Sequence, residues 1–451
     1  MTHRVIAGAA ALLALAALAR PLPARANPVD AFGMSARAVG LAGTYGALTD
    51  DFAANYYNPA ALASLDDMRL ELGYILVDPT LELNGGDLDV DGVNGIQGGL
   101  VLPGEVWGHR IGVSVALYLP DDRLTRLRAL PERQPRFVLY DNRPQRLVLT
   151  TSLALEIVPD VLYIGAGLTY LSDTKGSLDI TGQVDFEDAD GTDLRSAVDV
   201  DFQAVRYPSA SILVTPTENL RFSLTYRAPF DLSLDLRLDV HGDIVIGGTT
   251  DDPVPLVEDA TLAVTSKNAN LFSPRQLALG AAWVADDGSW DVAAEVVWQQ
   301  WSEFRSPTAR VTIALDAGSL PLSVPPTAPP GEPGFHDIVV THLGGEVDLV
   351  RTAHVRLIAR GGVFYEPSPA PDQRDKTNYV DSDKIGFGLG LGLELSDVTP
   401  VFPKPIGLDV SALYIHLPSR TYTKDDPADP VGAYVASGHF AGFATTLHFA
   451  F

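Results

Sequence analysis

Apolar and polar side chains alternate along most of this chain. From Leu232 to His241 each apolar residue is followed by a polar one. Successive side chains of a β-strand point to opposite faces, so such a segment has one apolar face and one polar face. Helical periodicity is scarce after the first sixty residues. The pattern therefore predicts an all-β fold.

The alternating segments are separated by breaks rich in proline, glycine and polar residues, and they predict fourteen strands. The predicted strands are residues 68–78, 94–102, 109–118, 144–157, 161–171, 198–214, 219–240, 258–285, 289–302, 336–349, 352–364, 384–395, 406–415 and 438–451. Two long segments, 219–240 and 258–285, contain internal breaks. An even strand number, with short turns alternating with long loops, is typical of barrels in bacterial outer membranes.

The first residues have the composition of a secretory signal peptide. Arg4 is followed by the apolar stretch 5–19 and by the cleavage motif Ala24-Arg25-Ala26. We therefore expect residues 1–26 to be removed, with an uncleaved anchor as the alternative. No run of about 18 apolar residues follows, which excludes a helical membrane protein. Together with the strand pattern, this predicts a 14-stranded antiparallel transmembrane β-barrel in the outer membrane of a Gram-negative bacterium.

The charged residues indicate which face of each strand meets lipid. In the segment 147–157, Leu149 and Leu153 lie on the face opposite Thr150 and Glu156. An arginine facing lipid costs roughly 2–4 kcal/mol at the bilayer midplane, so we expect the charged faces to point inward. Two soluble sheets packed face to face would show a similar alternation, but the signal peptide, the turn rhythm and the aromatic chain end favour the membrane.

One predicted strand has a row of glycines on a single face. Residues 385–393 read Ile-Gly-Phe-Gly-Leu-Gly-Leu-Gly-Leu, so Gly386, Gly388, Gly390 and Gly392 share the inward face. The absence of a surrounding βαβ unit argues against a nucleotide-binding loop. A bare inward face leaves room for a plug or an apolar ligand in the lumen. The alternative is that the strand merely tolerates glycine.

Residues 27–67 do not show the strand pattern. They are rich in small residues, and Asn58-Pro59 marks a turn. About 40 residues are too few to bury a stable core alone, but the same segment could close the lumen of a barrel. The predicted organisation is therefore a signal peptide (1–26), an N-terminal plug or hatch (27–67) and a transmembrane barrel (68–451).

Four segments of the chain form recognisable motifs. The first is 50–63, which contains Asn58-Pro59-Ala60, and the others are residues 298–304, 360–369 and 443–451. Together these segments resemble the FadL/TodX family of outer-membrane transporters for hydrophobic compounds. The long loops depart from the family pattern, and substrate identity is where the resemblance is weakest.

The resemblance implies a barrel whose N-terminal residues form the hatch. It implies capture of hydrophobic molecules at the outer surface, binding in an apolar pocket and lateral release into the membrane. By the same analogy Asn58, Pro59 and Ala60 belong to the hatch and have gating or structural roles, and Phe32 approaches the ligand pocket. The alternative for Asn58-Pro59 is that these residues simply fix a turn.

Composition narrows the function further. The chain has 57 acidic and 32 basic residues, which makes nucleic acid an implausible partner. It has no cysteine, and its nine histidines do not show the spacing of a zinc protease. No nucleophile, base and orienting group can be assembled from the sequence. We therefore predict no enzyme, no cofactor and no metal site.

One predicted loop is unusually basic for so acidic a chain. Residues 119–143 include Arg123, Arg126 and Arg128, interleaved with apolar residues such as Phe137. An apolar groove rimmed by guanidinium groups suits an amphipathic carboxylate such as a fatty acid. The same arginines could instead bridge lipopolysaccharide phosphates or pair with neighbouring acidic loops. We take Phe32, Arg123, Arg126, Arg128 and Phe137 as candidate ligand residues.

The function predicted from these features is passive uptake of hydrophobic molecules across an outer membrane. Long-chain fatty acids are the favoured ligands, followed by aromatic hydrocarbons. The expected surroundings are outer-membrane lipid and lipopolysaccharide, and the expected state is a monomer. The alternatives are a general porin for polar solutes, a membrane-embedded lipid enzyme and a structural or adhesive barrel.

Overall fold

This computed structural model describes residues 28–121, 134–140, 146–185, 193–249, 252–305, 310–316, 332–373, 377–398, 404–424 and 431–451. The helices in these residues are α1 (Pro28–Phe32), α2 (Ala36–Gly40), α3 (Ala54–Tyr57) and two 3-10 helices, Pro59–Ser64 and Trp301–Glu303. None of the described helices has the length and apolar character needed to cross a bilayer. The predicted signal peptide lies outside the described residues.

The remaining elements are strands. The strands of the first half are β1 (Arg69–Leu83), β2 (Gly86–Asp87), β3 (Val93–Val106), β4 (His109–Pro120), β5 (Val148–Val158), β6 (Leu162–Asp185), β7 (Asp193–Val214), β8 (Leu220–Arg227) and β9 (Phe230–Thr249). Those of the second half are β10 (Asp252–Ser273), β11 (Arg275–Val284), β12 (Trp290–Gln300), β13 (Arg310–Asp316), β14 (Ile338–Arg351), β15 (Val355–Glu366), β16 (Lys384–Leu395), β17 (Ile406–Tyr422) and β18 (Tyr434–Ala450).

Fourteen of these strands form a closed antiparallel ring. The order around the ring is β1, β3, β4, β5, β6, β7, β8, β11, β12, β14, β15, β16, β17, β18 and back to β1. Closure satisfies the backbone N–H and C=O groups without water, as a bilayer requires. The predicted 14-stranded barrel is confirmed.

Two predicted strands are divided in the structure. Segment 219–240 becomes β8 and β9, and segment 258–285 becomes β10 and β11. Pro229 and Pro274 lie at the two breaks, and a residue without an N–H removes one hydrogen bond from a strand ladder. The ring therefore continues from β8 directly to β11. The alternating segment Leu232–His241 is thus not part of the ring, contrary to the pattern-based assignment.

The strands outside the ring form an extension at one end of the barrel. β9 pairs in parallel with the distal part of β6 and antiparallel with β10, which in turn pairs with β13. β6 has 24 residues, whereas a strand crosses a membrane in about 9–11. The predicted strands 161–171 and 198–214 leave residues 172–197 as a loop, but the described residues 172–185 and 193–197 are the distal parts of β6 and β7 and project beyond the membrane.

The two faces of the ring differ in chemistry, as the alternation predicts. On β5 the outward-facing Leu149, Leu153 and Leu155 are exposed, and the inward-facing Thr150, Ser152 and Glu156 are buried. On β8 the outward-facing Phe222 and Leu224 are exposed, and the inward-facing Ser223, Thr225 and Arg227 are buried. The apolar exterior and polar interior confirm the predicted orientation of these strands.

The connections differ between the two ends of the ring. At one end, here the turn end, they are short, as at 107–108, 159–161, 215–219, 285–289 and 352–354. At the other end, the loop end, they are long and include 121–147, 301–337 and 367–383. Since outer-membrane barrels have short periplasmic turns and long outer loops, the loop end is expected to face outward.

Leu389 offers a test of the lipid-facing exterior and of the position of the bilayer along the barrel. It lies midway along β16, where we expect the bilayer midplane, and is 69% exposed on the outer face. We expect Leu389→Arg to lower the free energy of unfolding in phospholipid bilayers by roughly 2–4 kcal/mol. Leu70, which is also exposed but lies near the turn end, is the control, and Leu70→Arg should cost about 0–1 kcal/mol. Equal losses in the two variants would contradict the assigned membrane depth.

Candidate functional site

The N-terminal segment, residues 28–67, touches inward-facing residues on many sides of the ring. Four of its backbone amides donate hydrogen bonds to wall side chains. The amide of Ser35 donates to Gln97 on β3 at 3.2 Å, and the amide of Ala36 donates to Thr446 on β18 at 2.9 Å. The amide of Gly46 donates to Glu295 on β12, and the amide of Ala60 donates to Ser211 on β7, both at 2.8 Å. A segment with partners on so many sides of a closed ring lies inside it.

Glycines of the wall let the segment approach closely. A Cβ atom at Gly362 on β15 would overlap the carbonyl group of Leu41, and one at Gly388 on β16 would overlap that of Val39. On the opposite side, Gly112 on β4 and Gly165 on β6 meet the 3-10 helix in the same way. The bare face predicted on β16 therefore accommodates backbone of the N-terminal segment.

The predicted hatch residues lie at a junction between this segment and the wall. Asn58 ends α3, and its side-chain amide donates to the carbonyl of Gly46 at 2.8 Å. Pro59 begins the 3-10 helix, where its missing N–H costs nothing. Ala60 is held by Ser211 and packs against Gly165. Asn58-Pro59 thus fixes a turn and also positions the segment against β6 and β7.

A chain of buried and half-buried charges joins the N-terminal segment to the wall on the turn side. Arg37 of α2 pairs with Asp50, and its Nε donates to Glu346 on β14 at 2.9 Å. Arg360 on β15 pairs with the same Glu346 and with Asp409 on β17. Removing one member of a buried ion pair leaves an uncompensated charge, which typically costs about 3–5 kcal/mol. The network therefore ties α2 firmly to three strands.

Burial and neighbouring charges move the pKa values of two adjacent carboxyls in opposite directions. Burial alone would raise the pKa of Asp50, but Arg37 and Arg69 hold it well below its usual range. Burial, with repulsion from Asp50, raises the pKa of Asp51 to about 6. The Asp51 carboxylate accepts a hydrogen bond from the amide of Ala53 at 2.9 Å, which fixes the start of α3.

A cavity of about 380 Å³ lies between the N-terminal segment and the turn end. Its lining includes Arg37, Asp50, Asp51, Arg69, Glu71, Asp291, Glu346, Arg356, Arg360, Glu394, Asp409 and His448. So charged a lining favours water and disfavours an apolar molecule. We refer to this space as the turn-end cavity.

The loop side of the segment has the opposite character. A buried cluster of aromatic residues lies there, including Phe32, Phe137, Tyr140, Phe272, Trp301, Phe304, Phe335, Tyr379 and Phe440. The ring centroids of Phe32 and Phe440 are 5.5 Å apart, and those of Tyr140 and Phe440 are 4.6 Å apart. We call this group the loop-end aromatic cluster. The structure brings together two of the predicted ligand residues, Phe32 and Phe137, in it.

Two small cavities lie between this cluster and the N-terminal segment. One measures about 70 Å³ and is lined by residues that include Phe32, Arg227, Glu295, His342, Phe364 and Glu366. The other measures about 30 Å³ and is lined by residues that include Phe32, Tyr140, Trp301, Glu366, Lys384 and Ile415. Both are far smaller than the roughly 300–1,000 Å³ of ordinary ligand pockets.

The smaller cavity has a buried ion cluster on its wall. The ammonium of Lys384 lies 2.9 Å from Glu366 and 3.1 Å from Asp381. Ser368 donates a hydrogen bond to the same Asp381 carboxylate at 2.8 Å. Lys384 and Glu366 are the last cross-strand pair of β15 and β16 at the loop end.

The other predicted ligand residues, Arg123, Arg126 and Arg128, lie outside the described residues. The structure does describe Arg136 of the same basic stretch, and Arg146, which follows the stretch in sequence. Both are almost completely buried. The backbone of Arg136 bonds to Asn378 and Val380, which joins this stretch to the loop 367–383. These two arginines therefore belong to the packed loop layer and do not rim an exposed groove.

Comparisons with known proteins agree with this architecture. The model of the family described as "Outer membrane protein transport protein (OMPP1/FadL/TodX)" matches residues 145–451. The chain belongs to this family. The predicted resemblance, the outer-membrane location in Gram-negative bacteria and the class of hydrophobic-compound transport proteins are thereby confirmed, and the prediction that the chain is not an enzyme agrees with them.

Similar proteins include one curated relative and two solved structures. The relative is alkane uptake protein A of Marinobacter nauticus, 30% identical over 226 residues. This match covers 50% of the chain and 44% of the relative, so it spans less than half of that protein's length. The first structure is a Pseudomonas aeruginosa FadL homologue, 14% identical with a TM-score of 0.56; the match covers 95% of this chain and 99% of that chain. The second is the P. putida toluene transporter TodX, also 14% identical, with a TM-score of 0.51; the match covers 93% of this chain and 99% of that chain.

Sequence reasoning missed the charge network of this FadL/TodX family member. The charged residues of this network, for example Glu346 and Arg360, were visible in the sequence as isolated charges at inward-facing positions of otherwise apolar strands. Their partners could not be identified, since Arg37 and Glu346 are 309 positions apart. The ion cluster at Lys384 was missed for a different reason, because it combines two strand ends with a loop residue.

Neighbouring glycines on β15 allow a test of the close contact. A side chain at Gly362 would collide with Leu41, whereas Gly361 faces outward and has only the side-chain tip of Leu389 and the backbone of Gly388 near it, at 3.8 and 4.0 Å. We expect Gly362→Val to displace the N-terminal segment and to raise ion conductance in planar bilayers above that of the wild type. Gly361→Val should leave conductance unchanged. If the folded Gly362→Val and Gly361→Val variants had equal conductance, the close contact between Gly362 and Leu41 would be contradicted.

The raised pKa of Asp51 predicts a pH dependence of docking. Because an undocked Asp51 carboxyl ionises at its usual pKa near 4 and the docked one near 6, the contribution of Asp51 to docking weakens as pH rises from about 4 to 6, by up to about 3 kcal/mol. Asp50, whose pKa is lowered, acts in the opposite direction and only below about pH 4. Hydrogen exchange of residues 28–64, corrected for intrinsic rates, should accelerate over this range.

The matched variant is Asp51→Asn, which keeps an oxygen acceptor for Ala53 and cannot ionise. We expect its exchange to depend less on pH between 4 and 6 than that of the wild type. An unchanged slope would show that another group controls docking in this range.

Proposed function

We propose that this chain takes up hydrophobic molecules at the loop end and that residues 27–67 act as the hatch that controls their passage. The observation that carries the proposal is the position of the N-terminal segment. It lies between the loop-end aromatic cluster and the charged turn-end cavity, with Phe32 on one side and Arg37 on the other. An apolar molecule entering from the loop end therefore meets Phe32 first.

The size of the cavities supports a moving hatch. The spaces of about 70 and 30 Å³ beside Phe32 are too small for a hydrophobic ligand of ordinary size. Displacing Phe32 from its contact with Phe440 would enlarge both, since its side chain lines each of them. Burial of the ligand's apolar surface, at about 25 cal/mol per Å², would offset the lost aromatic contact.

The turn-end cavity supports release sideways into the membrane. An apolar molecule that passed straight through would have to displace water from a space lined by many charged groups, including Asp50, Arg69 and Glu346. Even charged groups that are paired lose several kcal/mol each of hydration when water is removed from them. Lateral release avoids this step and delivers the molecule to the lipid phase, where it is most soluble.

The ligand is proposed at the level of long-chain and aromatic hydrophobic compounds. The sequence favours long-chain fatty acids, with aromatic hydrocarbons second. The relative in Marinobacter nauticus is named for alkane uptake and the P. putida neighbour for toluene transport, which supports uncharged hydrocarbons as a further class. The cluster that contains Phe32 and Phe137 offers apolar surface to all of these compounds.

A reversible cross-link tests the hatch. A Cβ at Gly40, the last residue of α2, would lie 2.7 Å from the hydroxyl oxygen of Ser411 on β17, which is close enough for a disulfide after substitution of both by cysteine. The chain has no other cysteine. Uptake of radiolabelled palmitate, hexadecane and toluene is measured in cells expressing Gly40→Cys/Ser411→Cys. For each compound that wild-type cells take up, we expect oxidation to abolish uptake and dithiothreitol to restore it.

The single variants Gly40→Cys and Ser411→Cys are the controls, and oxidation should leave their uptake unchanged. A shift in gel mobility reports whether the disulfide has formed. Undiminished uptake by fully cross-linked protein would show that the N-terminal segment does not move during transport. If wild-type cells take up none of the three compounds faster than vector-only cells, the proposed function is wrong.

A further inference from the structure

The described residues that line the two small cavities beside Phe32 carry no surplus positive charge. Lys384 is the cation on the wall of the smaller cavity, and it faces two carboxylates, Glu366 and Asp381. With both acids ionised the cluster has a net charge of −1, and with one protonated it is neutral. In neither state is an ammonium charge available to a ligand.

The other cation on these walls is already held. Arg227, on the wall of the larger cavity, lies over the ring of Tyr56 with its Cζ 4.1 Å from the centroid. It also donates to the carbonyl of Tyr56 at 3.0 Å and to Gln276 at 2.9 Å. Glu295 lines the same cavity and is buried. A ligand anion would therefore find no more favourable position in the larger cavity than beside Lys384 in the smaller one.

We propose that Glu366 is a specificity-determining residue that excludes carboxylates, so that the ligands are uncharged hydrocarbons rather than fatty acids, an inference that rests on the uptake function proposed above. Two features single out Glu366. It lines both cavities, and it is the partly exposed member of the cluster, with 22% of its side chain accessible against 3% for Lys384 and 0% for Asp381.

The physical reason is repulsion in a poorly hydrated space. A carboxylate placed near Lys384 would have to displace Glu366 or lie beside it. Like charges brought together at a binding site are strongly unfavourable, and binding sites use such unpaired charges to reject wrong ligands. An alkane or an aromatic hydrocarbon has no charge to be repelled and needs only the aromatic side chains of the cluster.

The aromatic surroundings add to this effect. The Lys384 ammonium lies 5.9 Å from the centroid of the Tyr140 ring, within the range of a cation–π interaction. Ser368, through its bond to Asp381, fixes the second carboxylate. Lys384 therefore has three favourable partners within the protein, and a ligand carboxylate would have to compete with all of them.

A series of compounds with the same chain and different head groups tests the inference on the unmodified protein. Hexadecane, hexadecanol, hexadecylamine and palmitate would be titrated against the immobilised full chain in detergent by scintillation proximity, with affinities corrected for partition into micelles. We expect palmitate to bind about tenfold more weakly than hexadecanol or worse, and hexadecylamine at least as tightly as hexadecanol.

The matched variants are Glu366→Gln and Glu394→Gln. Glu394 lies near the other end of the same β15–β16 ladder, where it faces Arg356 and lines the turn-end cavity, so it receives the same substitution away from the two cavities beside Phe32. Glu366→Gln should strengthen palmitate binding about tenfold and change hexadecane binding less than about twofold. Glu394→Gln should change neither. Adding Lys384→Met to Glu366→Gln should remove the gain, because the ammonium is lost.

The outcomes separate this inference from the proposed function. Tightest binding of palmitate by the wild type would overturn the exclusion of carboxylates and leave uptake of hydrophobic molecules in place. Equal effects of Glu366→Gln and Glu394→Gln would show that Glu366 is not the determinant. Binding of none of the four compounds would argue against the proposed function itself.

Discussion

The rest of this structure depends on backbone-to-backbone contact between the N-terminal segment and glycines of the wall. A closed ring of fourteen strands leaves a lumen that must be filled or remain open to water. Gly362 and Gly388 on one side and Gly112 and Gly165 on the other leave enough room for residues 39–62 to lie against the strands. Larger side chains at these positions would push the segment out of the lumen.

This contact divides the lumen into two spaces of opposite chemistry. The turn side is lined with charges and contains the network that joins Arg37 to Glu346. The loop side contains aromatic residues and small cavities around Phe32. The same short segment therefore provides an apolar surface to one space and a charged surface to the other. Such an arrangement suits a protein that admits apolar molecules from one side and keeps them out of the water on the other.

Charge pairing has a different purpose in each space. On the turn side the pairs link the N-terminal segment to the wall, and burial with repulsion from Asp50 raises the pKa of Asp51 beside them. On the loop side the pairing of Lys384 with Glu366 and Asp381 removes positive charge from an apolar space. The first arrangement joins two parts of the protein, and the second leaves the loop-side space without a surplus positive charge.

The sequence by itself determined the all-β fold, the number of ring strands and the lipid-facing side of strands such as β5 and β8, because side-chain alternation is local and has a period of two. It also identified a non-strand segment at residues 27–67 and the bare glycine face on β16. Only the tertiary structure decided that β9, β10 and β13 leave the ring, that Arg37 meets Glu346, and that Lys384 is compensated by Glu366 and Asp381. These features join residues distant in the chain, and their pairing depends on ring closure and loop packing, which no local pattern encodes.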